Sequence, residues 1–168
     1  RPYPSDHVKA HGRNMDGQVM VANFDYVFIA ASLNGSYNFN RIARDVSITL
    51  QGNGIPVVIL TKVDLCSNPG RYVRELEGLS DKVKVHTISA LYGIGLDELK
   101  EYLKPEKTIA ILGSSGVGKS TLVNALCGEE AMKTSEIRES DSKGRHTTTY
   151  RQVFELQNGA RIIDTPGM

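Results

Sequence analysis

The sequence predicts an α/β fold: a six-stranded, mostly parallel β-sheet with helices on both faces. Short apolar runs of strand length alternate along the chain with segments whose apolar residues recur at helical spacing. One such run leads into a glycine-rich string, residues 113–120, and then into another helical pattern. The last two predicted strands are close enough in sequence to form a hairpin, which adds one antiparallel edge.

The first half of the chain predicts three strands and two helices. The strands are Tyr26–Ala30, Ile55–Leu60 and Lys82–His86. Helical spacing between the first two is carried by Phe39, Ile42, Ala43, Val46 and Leu50. The second helix is predicted to begin at Asn68 and Pro69, because Asn is a favoured N-cap and Pro suits the first helical position. Val73 and Leu76 continue its buried face.

The second half predicts two more helices and the remaining three strands. Leu96, Leu99 and Leu103 mark a helix, and Asp97 and Glu98 suit its positive first turn. Thr108–Leu112 is the fourth strand, and the helix after the glycine-rich string carries Leu122, Val123 and Leu126. The predicted hairpin joins Tyr150–Leu156 to Ala160–Ile163 through Asn158-Gly159.

Composition is typical of a soluble globular domain. The 168 residues are 40% hydrophobic and 23% charged, and the net charge of +1 predicts no global attraction to nucleic acid or membranes. The apolar runs fall far short of the ~20 residues of a membrane span, so we expect no membrane partner. Cys66 and Cys127 stand alone, which indicates reduced thiols in a cytoplasmic protein and no metal role.

Domain organisation is uneven along the chain. Residues 1–20 are polar and irregular, which predicts a linker or the end of an upstream domain, whereas residues 21–168 carry the α/β pattern. The chain starts at Arg1 and stops at Met168 within a predicted loop. We therefore expect a fragment of a longer protein, truncated within its main domain. We also expect the protein to be a monomer.

The glycine-rich string fits the pattern GxxxxGK[ST], the phosphate-binding P-loop. Its residues are Gly113, Ser114, Ser115, Gly116, Val117, Gly118, Lys119 and Ser120, with Thr121 following. The glycines let backbone N–H groups surround phosphates, Lys119 supplies a charge to the β- and γ-phosphates, and the Ser120 hydroxyl suits Mg²⁺. ATPases, kinases and GTPases share this string, so it indicates only a nucleoside triphosphate.

Two further strings indicate guanine as the base. Thr61-Lys62-Val63-Asp64 follows the second strand, and the Asp64 carboxylate can accept from both N1–H and N2–H of guanine. The usual first residue of such a loop is Asn, and Thr61 is shorter. Ser89-Ala90-Leu91 follows the third strand, where the Ala90 N–H can donate to guanine O6. Both strings lie at strand ends, where ligands bind in open α/β sheets.

Two strings after the P-loop predict the γ-phosphate and metal contacts. Asp164-Thr165-Pro166-Gly167 fits DxxG, in which Asp164 holds Mg²⁺ through water and the Gly167 N–H senses the γ-phosphate. Residues 144–149 occupy the position of a switch loop, so one of its threonines would complete the Mg²⁺ ligands. Thr149 is the first choice and Thr148 the second.

The order of these strings predicts a circularly permuted P-loop GTPase fold, because the base loop precedes the phosphate loop. Together with Gly144-Arg145-His146-Thr147-Thr148-Thr149, the order resembles the RsgA (YjeQ) family over most of residues 19–168. The resemblance implies GTP hydrolysis with Mg²⁺, stimulated by the small ribosomal subunit and its rRNA, in late assembly of that subunit. It also implies an N-terminal OB-fold, whose end would be residues 1–20, and a C-terminal zinc module outside this segment.

One departure from Ras-like enzymes bears on mechanism. Met168 follows Gly167, where many GTPases place the Gln that orients attacking water. We therefore expect slow intrinsic hydrolysis that a partner accelerates. His146 either positions the water, and then belongs with Lys119 and Thr149 among the catalytic residues, or is a solvated histidine on the loop.

Alternatives remain from the residues alone. A GTP-switched binding module for another RNA–protein partner, with negligible hydrolysis, agrees with the missing Gln. An ATP-dependent kinase or ATPase agrees with the P-loop but leaves Asp64 unexplained. The helical arginines either form a solvated face or contact RNA phosphates; they are Arg41, Arg44, Arg71 and Arg74.

Overall fold

The computed structural model describes residues 24–35, 37–113, 117–134, 152–156 and 158–164. The strands are β1 (Tyr26–Ser32), β2 (Ile55–Thr61), β3 (Lys84–Thr87), β4 (Thr108–Leu112), β5 (Gln152–Glu155) and β6 (Arg161–Asp164). The helices are α1 (Phe39–Gln51), α2 (Pro69–Glu77), α3 (Leu96–Lys100) and α4 (Lys119–Thr134), with a short 3-10 helix at Val63–Leu65.

The six strands form one sheet in the order β3-β2-β1-β4-β6-β5. The pairs β1–β2, β1–β4, β2–β3 and β4–β6 are parallel, and only β5 is antiparallel to its neighbour β6. The chain builds outward from β1 to β3 and then returns to the other side of β1 with β4. This reversal is the topological switch point at which open α/β sheets bind ligands. The predicted fold class is confirmed.

Alternate residues of the central strands bury two separate cores. Phe28, Val57 and Ile111 pack with residues of α3 and α4 on one face. Val58 and Leu60 pack with residues of α1 and α2 on the other. A strand buried on both faces needs apolar side chains at every position, which explains the continuous apolar runs of β1 and β2. Helices thus cover both faces, as predicted.

Two helix starts follow from local sequence. The Asn38 side chain accepts a 3.1 Å hydrogen bond from the Arg41 N–H and caps α1. Pro69 begins α2 as predicted, and Asn68 occupies its N-cap position. The Asn68 side chain makes no capping hydrogen bond there. The fixed φ of proline accounts for that start without a side-chain cap.

Several element boundaries differ from prediction. β3 spans Lys84–Thr87 instead of Lys82–His86, because the Val83 N–H bonds back to Ser80 in a turn. α3 ends at Lys100, so Leu103 lies beyond the helix, although its side chain is buried. The predicted antiparallel hairpin is confirmed, but its strands are Gln152–Glu155 and Arg161–Asp164 instead of Tyr150–Leu156 and Ala160–Ile163, with Asn158 in the connecting turn. In the part of the chain that the structure describes, no helix is long and apolar enough to cross a membrane.

Candidate functional site

Four chain segments with predicted roles meet at one edge of the sheet. Thr61 ends β2, Ser89 follows β3, Gly113 follows β4, and Asp164 ends β6. The strands are parallel, so their carboxyl ends lie along the same edge. Topology alone therefore brings the predicted base loop, the second base string, the P-loop and the DxxG aspartate to one side of the sheet.

A pocket of about 360 Å³ opens at this edge. Its lining comes from the segments after β2 and β3 and from the start of α4. The lining residues are Thr61, Lys62, Asp64, Leu65, Ile88, Ser89, Ala90, Leu91, Val117, Gly118, Thr121 and Leu122. Most of these positions were predicted to bind GTP. Leu65, Ile88 and Leu122 were not, because apolar residues beside a motif give no recognisable pattern.

Thr61 joins the base-loop side of the pocket to the P-loop side. Its hydroxyl donates a 2.9 Å hydrogen bond to the Val117 carbonyl and lies 3.3 Å from the Ala31 carbonyl. A hydroxyl has one proton, so the shorter bond to Val117 is the stronger. The Thr61 carbonyl also accepts from the Leu33 N–H at 3.0 Å. Although shorter than Asn, Thr61 therefore bridges the two loops while remaining buried.

The base loop turns sharply directly after Thr61. Lys62 has φ 62 and ψ 39, a left-handed conformation that costs a non-glycine residue about 1–2 kcal/mol. The turn is held by the Val63 N–H, which donates to the Ile88 carbonyl at 3.0 Å. It leads into the 3-10 helix and leaves Asp64 exposed at the pocket wall. Strain of this kind is retained where the surrounding structure enforces it, commonly at functional sites.

The second base string forms a tight loop beside the first. Ser89 and Ile94 exchange two backbone hydrogen bonds of 3.0 Å, which close the loop. Ser89 is buried, whereas Leu91 is 77% exposed although it lines the pocket. Ala90 lies between them on the pocket wall. The loop thus places a small residue and an apolar side chain next to Asp64.

The described part of the P-loop packs closely against β1. A Cβ added at Gly113 would lie 3.1 Å from the Ala30 carbonyl and 3.2 Å from the Val117 side chain, so only glycine fits without displacement. Val117 is buried, and the Leu122 N–H donates to the Gly118 carbonyl as α4 begins. Ser114, Ser115 and Gly116 lie outside the described residues.

Lys119, the lysine of the P-loop string, forms an ion pair with Asp164. Lys119 Nζ lies 3.0 Å from Asp164 Oδ1, and the side chains are only 12% and 18% exposed. Asp164 Oδ1 is buried and accepts no directional hydrogen bond within the described part of the chain, so this ammonium group is the charge that compensates it. The two predicted phosphate and metal residues are therefore adjacent.

The oxygen atoms here suit magnesium. Mg²⁺ prefers carboxylate and hydroxyl oxygens and retains several waters. Asp164 Oδ1 is a buried carboxylate oxygen without a hydrogen bond, and Ser120 is the second residue of α4. These two residues would hold the ion, and their donor set fits it. The ion would supply charge stabilisation to the phosphates.

Several predicted residues lie outside the described residues. These are His146, Thr148, Thr149 and Gly167, so the switch-loop threonine and the role of His146 stay predictions. Elsewhere, burial raises the pKa of the Cys127 thiol to about 11, and Cys66 is also a free thiol. Among the described residues no group of three His, Cys, Asp or Glu side chains is placed to hold a metal ion. Arg44, Arg71 and Arg74 are exposed.

The family model described as RsgA GTPase matches residues 7–168. The chain belongs to the RsgA GTPase family. It is 45% identical over 167 residues to small ribosomal subunit biogenesis GTPase RsgA 2 of Lactiplantibacillus plantarum, which covers 98% of this chain and 47% of that protein. It is 47% identical over 151 residues to small ribosomal subunit biogenesis GTPase RsgA of Methanosarcina acetivorans, covering 90% and 41%.

The fold is also similar to that of a solved structure. The crystal structure of YjeQ from Thermotoga maritima matches with a TM-score of 0.64 and 32% identity, over 86% of this chain and 48% of that chain. The chain spans about half the length of the curated RsgA relatives it matches. The resemblance to the RsgA family and the predicted P-loop GTPase fold are confirmed.

Proposed function

We propose that this chain is the nucleotide-binding and hydrolysing domain of an RsgA GTPase that acts in assembly of the small ribosomal subunit. It would bind GTP with Mg²⁺, and the subunit would stimulate hydrolysis to GDP and phosphate. Contact with rRNA, a monomeric state and a cytoplasmic location belong to the same proposal. The names of the RsgA relatives support the ribosomal part.

One observation carries the nucleotide part of the proposal. A single pocket is lined by Asp64 of the base loop, Ala90 of the second base string and Gly118 of the P-loop. These residues are far apart in sequence but converge on one volume. The division of labour follows from their chemistry: a carboxylate accepts from guanine N–H groups, a backbone N–H donates to O6, and the P-loop surrounds phosphate.

Lys119 and the two proposed metal ligands, Ser120 and Asp164, would act where the phosphates bind. The ammonium group of Lys119 would compensate charge that develops on the phosphates during hydrolysis. Ser120 and Asp164 would hold Mg²⁺, which supplies further charge stabilisation. Lys119, Ser120 and Asp164 have no role in activating the attacking water here, so we expect slow turnover until the ribosomal subunit binds.

The proposal is tested by GTP hydrolysis with the full-length native protein, with and without purified small ribosomal subunits. We expect slow turnover alone and a rise of at least about tenfold with subunits, equal to about 1.4 kcal/mol of barrier. Purified large subunits are the control partner and should give no rise. Lys119→Ala should lose turnover under all conditions.

Any of three results would contradict part of the proposal. Full activity of Lys119→Ala would show that the P-loop assignment is wrong. Intact GTP binding with no stimulation by small subunits would remove the ribosomal role and leave a guanine-nucleotide domain with another partner. ATP competing as well as GTP for the site would argue against the base-loop assignment.

A further inference from the structure

Lys119 and Asp164 come from a helix and a strand, respectively, and meet in a partly enclosed position. Lys119 is the first residue of α4, and Asp164 is the last residue of β6. β6 pairs with β4 so that Asp164 lies beside Ile111, two residues before the P-loop begins. The 3.0 Å contact between Nζ and Oδ1 is therefore built by the sheet register and not by chance meeting of mobile surface side chains.

In the proposed function, each member of this pair would contact a different ligand. Lys119 would face phosphate oxygens, and Asp164 would face hydrated Mg²⁺. In the structure the two opposite charges face each other. We propose that Asp164 is also the positioning residue of Lys119, and that their ion pair makes phosphate binding depend on Mg²⁺.

The argument depends on the buried oxygen of Asp164. Oδ1 accepts no directional hydrogen bond from the described residues, so its charge is compensated chiefly by the Lys119 ammonium group. If Lys119 turns to phosphate alone, a buried carboxylate loses its compensating charge and comes to lie near further negative charge. Both effects oppose binding, since buried uncompensated charge and like-charge proximity are unfavourable.

Both penalties would be removed if Mg²⁺ bound together with the phosphates. The carboxylate of Asp164 would then have a cation beside it, and Lys119 would be free to turn to the nucleotide. The ammonium group of Lys119 is thus the cation beside Asp164 when no metal is bound, and Mg²⁺ would replace it there. Asp164 accordingly does more than help to hold the metal. It also makes nucleotide binding less favourable when the metal is absent.

The test is GDP affinity of the full-length protein, measured by fluorescence titration in Mg²⁺ and again in EDTA. Asp164→Asn keeps the side-chain shape but removes the charge. In EDTA the variant should bind GDP roughly fivefold or more tightly than the wild type, at the lower end of coupling between linked sites. In Mg²⁺ it should show no gain, so the dependence of affinity on the metal shrinks.

Controls separate this role from neighbouring explanations. A residue that only ligates the metal would give the same gain in EDTA with or without Lys119, because its neutralisation would relieve only the like-charge proximity to the phosphates. In a Lys119→Gln background, Asp164→Asn should give a clearly smaller gain, because only the like-charge proximity is left to relieve, and a gain equal to that with Lys119 present would overturn the role of the ion pair. Asp164→Ser is a second neutral variant and should reproduce the gain if the Asn variant does not fold.

The outcomes also separate this proposal, which rests on the proposed function, from that function itself. Wild-type protein that binds no GDP in Mg²⁺ would overturn both. Wild-type protein that binds GDP in Mg²⁺, with neutral variants that bind equally or more weakly than wild type in EDTA, would overturn only the role of the ion pair.

Discussion

At the scale of single residues, Thr61 is the side chain that connects the two ends of the pocket. Its buried hydroxyl reaches across to the carbonyl of Val117, which belongs to the P-loop. The bond fixes where the base loop lies relative to the phosphate loop. Because the two loops follow different strands, a nucleotide spanning both requires this relative placement to be correct.

We predict that Thr61→Val weakens GDP binding by roughly fivefold, equal to about 1 kcal/mol, the usual net contribution of a neutral hydrogen bond. Valine has nearly the shape of threonine but leaves the Val117 carbonyl without its donor. GDP affinity is measured by titration at a temperature where the variant is folded. Thr61→Ser keeps the hydroxyl and should restore most of the affinity.

Thr49→Val is the matched control for this prediction. Thr49 is also fully buried, and its hydroxyl also bonds to a backbone carbonyl, that of Asp45 at 2.8 Å. It lies on α1, away from the pocket lining. We expect unchanged GDP affinity in this variant. Equal losses at both threonines would mean that the effect reflects general stability and not loop placement.

The sequence predicted the residues of the site better than the contacts between them. Thr61 and Asp164 are recognisable because each belongs to a short pattern of fixed spacing. The bond from Thr61 to Val117 and the pair of Lys119 with Asp164 depend on how far apart β2, β4 and β6 lie in the sheet. Such distances follow from tertiary packing, which one-dimensional spacing does not encode.

At the scale of elements, the pattern of apolar residues predicted whether a segment is a helix or a strand more reliably than it predicted where that segment begins and ends. Val83 is buried, so it extends the apparent third strand, but its backbone belongs to a turn. Leu103 is buried as well, yet its N–H bonds to the Lys100 carbonyl after α3 has ended. Burial is a property of the side chain, and it continues across points where the backbone changes conformation.

Gly95 is the element boundary with the strictest steric requirement. It has φ +79 and precedes α3, and an added Cβ would collide with the Thr87 carbonyl at the end of β3. We predict that Gly95→Ala lowers the unfolding free energy by more than about 2 kcal/mol, because left-handed strain adds to displacement of backbone. Thermal unfolding measures the effect, with a shift of about 2–4 °C per kcal/mol.

Gly93 in the same loop supplies the comparison. It has φ +71, but nothing lies within 4 Å of an added Cβ. Gly93→Ala therefore carries only the conformational cost, about 1 kcal/mol. The difference between the two variants isolates the collision with Thr87. Equal melting temperatures for the two variants would show that the backbone at Thr87 yields without cost.

At the scale of the whole molecule, the core and the pocket use mostly different positions, although Ile88 and Leu122 belong to both. The strand interiors bury the two cores, and the carboxyl ends supply the pocket. The sequence predicted this division, since apolar runs are followed directly by polar and glycine-rich strings. Stability and nucleotide binding should therefore respond to different substitutions, even when the side chain removed is the same.

Two leucines test that separation directly. Leu99 on α3 is fully buried, so Leu99→Ala should lower the unfolding free energy by about 2–5 kcal/mol, as expected for a core cavity. Leu91 is 77% exposed on the pocket wall, so Leu91→Ala should change stability by no more than about 0.5 kcal/mol. Urea unfolding without nucleotide measures both. GDP titration of the folded variants should then show weaker binding only for Leu91→Ala, because the apolar side chain of Leu91 lines the pocket and would cover part of a bound nucleotide. Unchanged GDP affinity in that variant would exclude Leu91 from the site, and weaker affinity in Leu99→Ala would show that the core and the pocket are coupled.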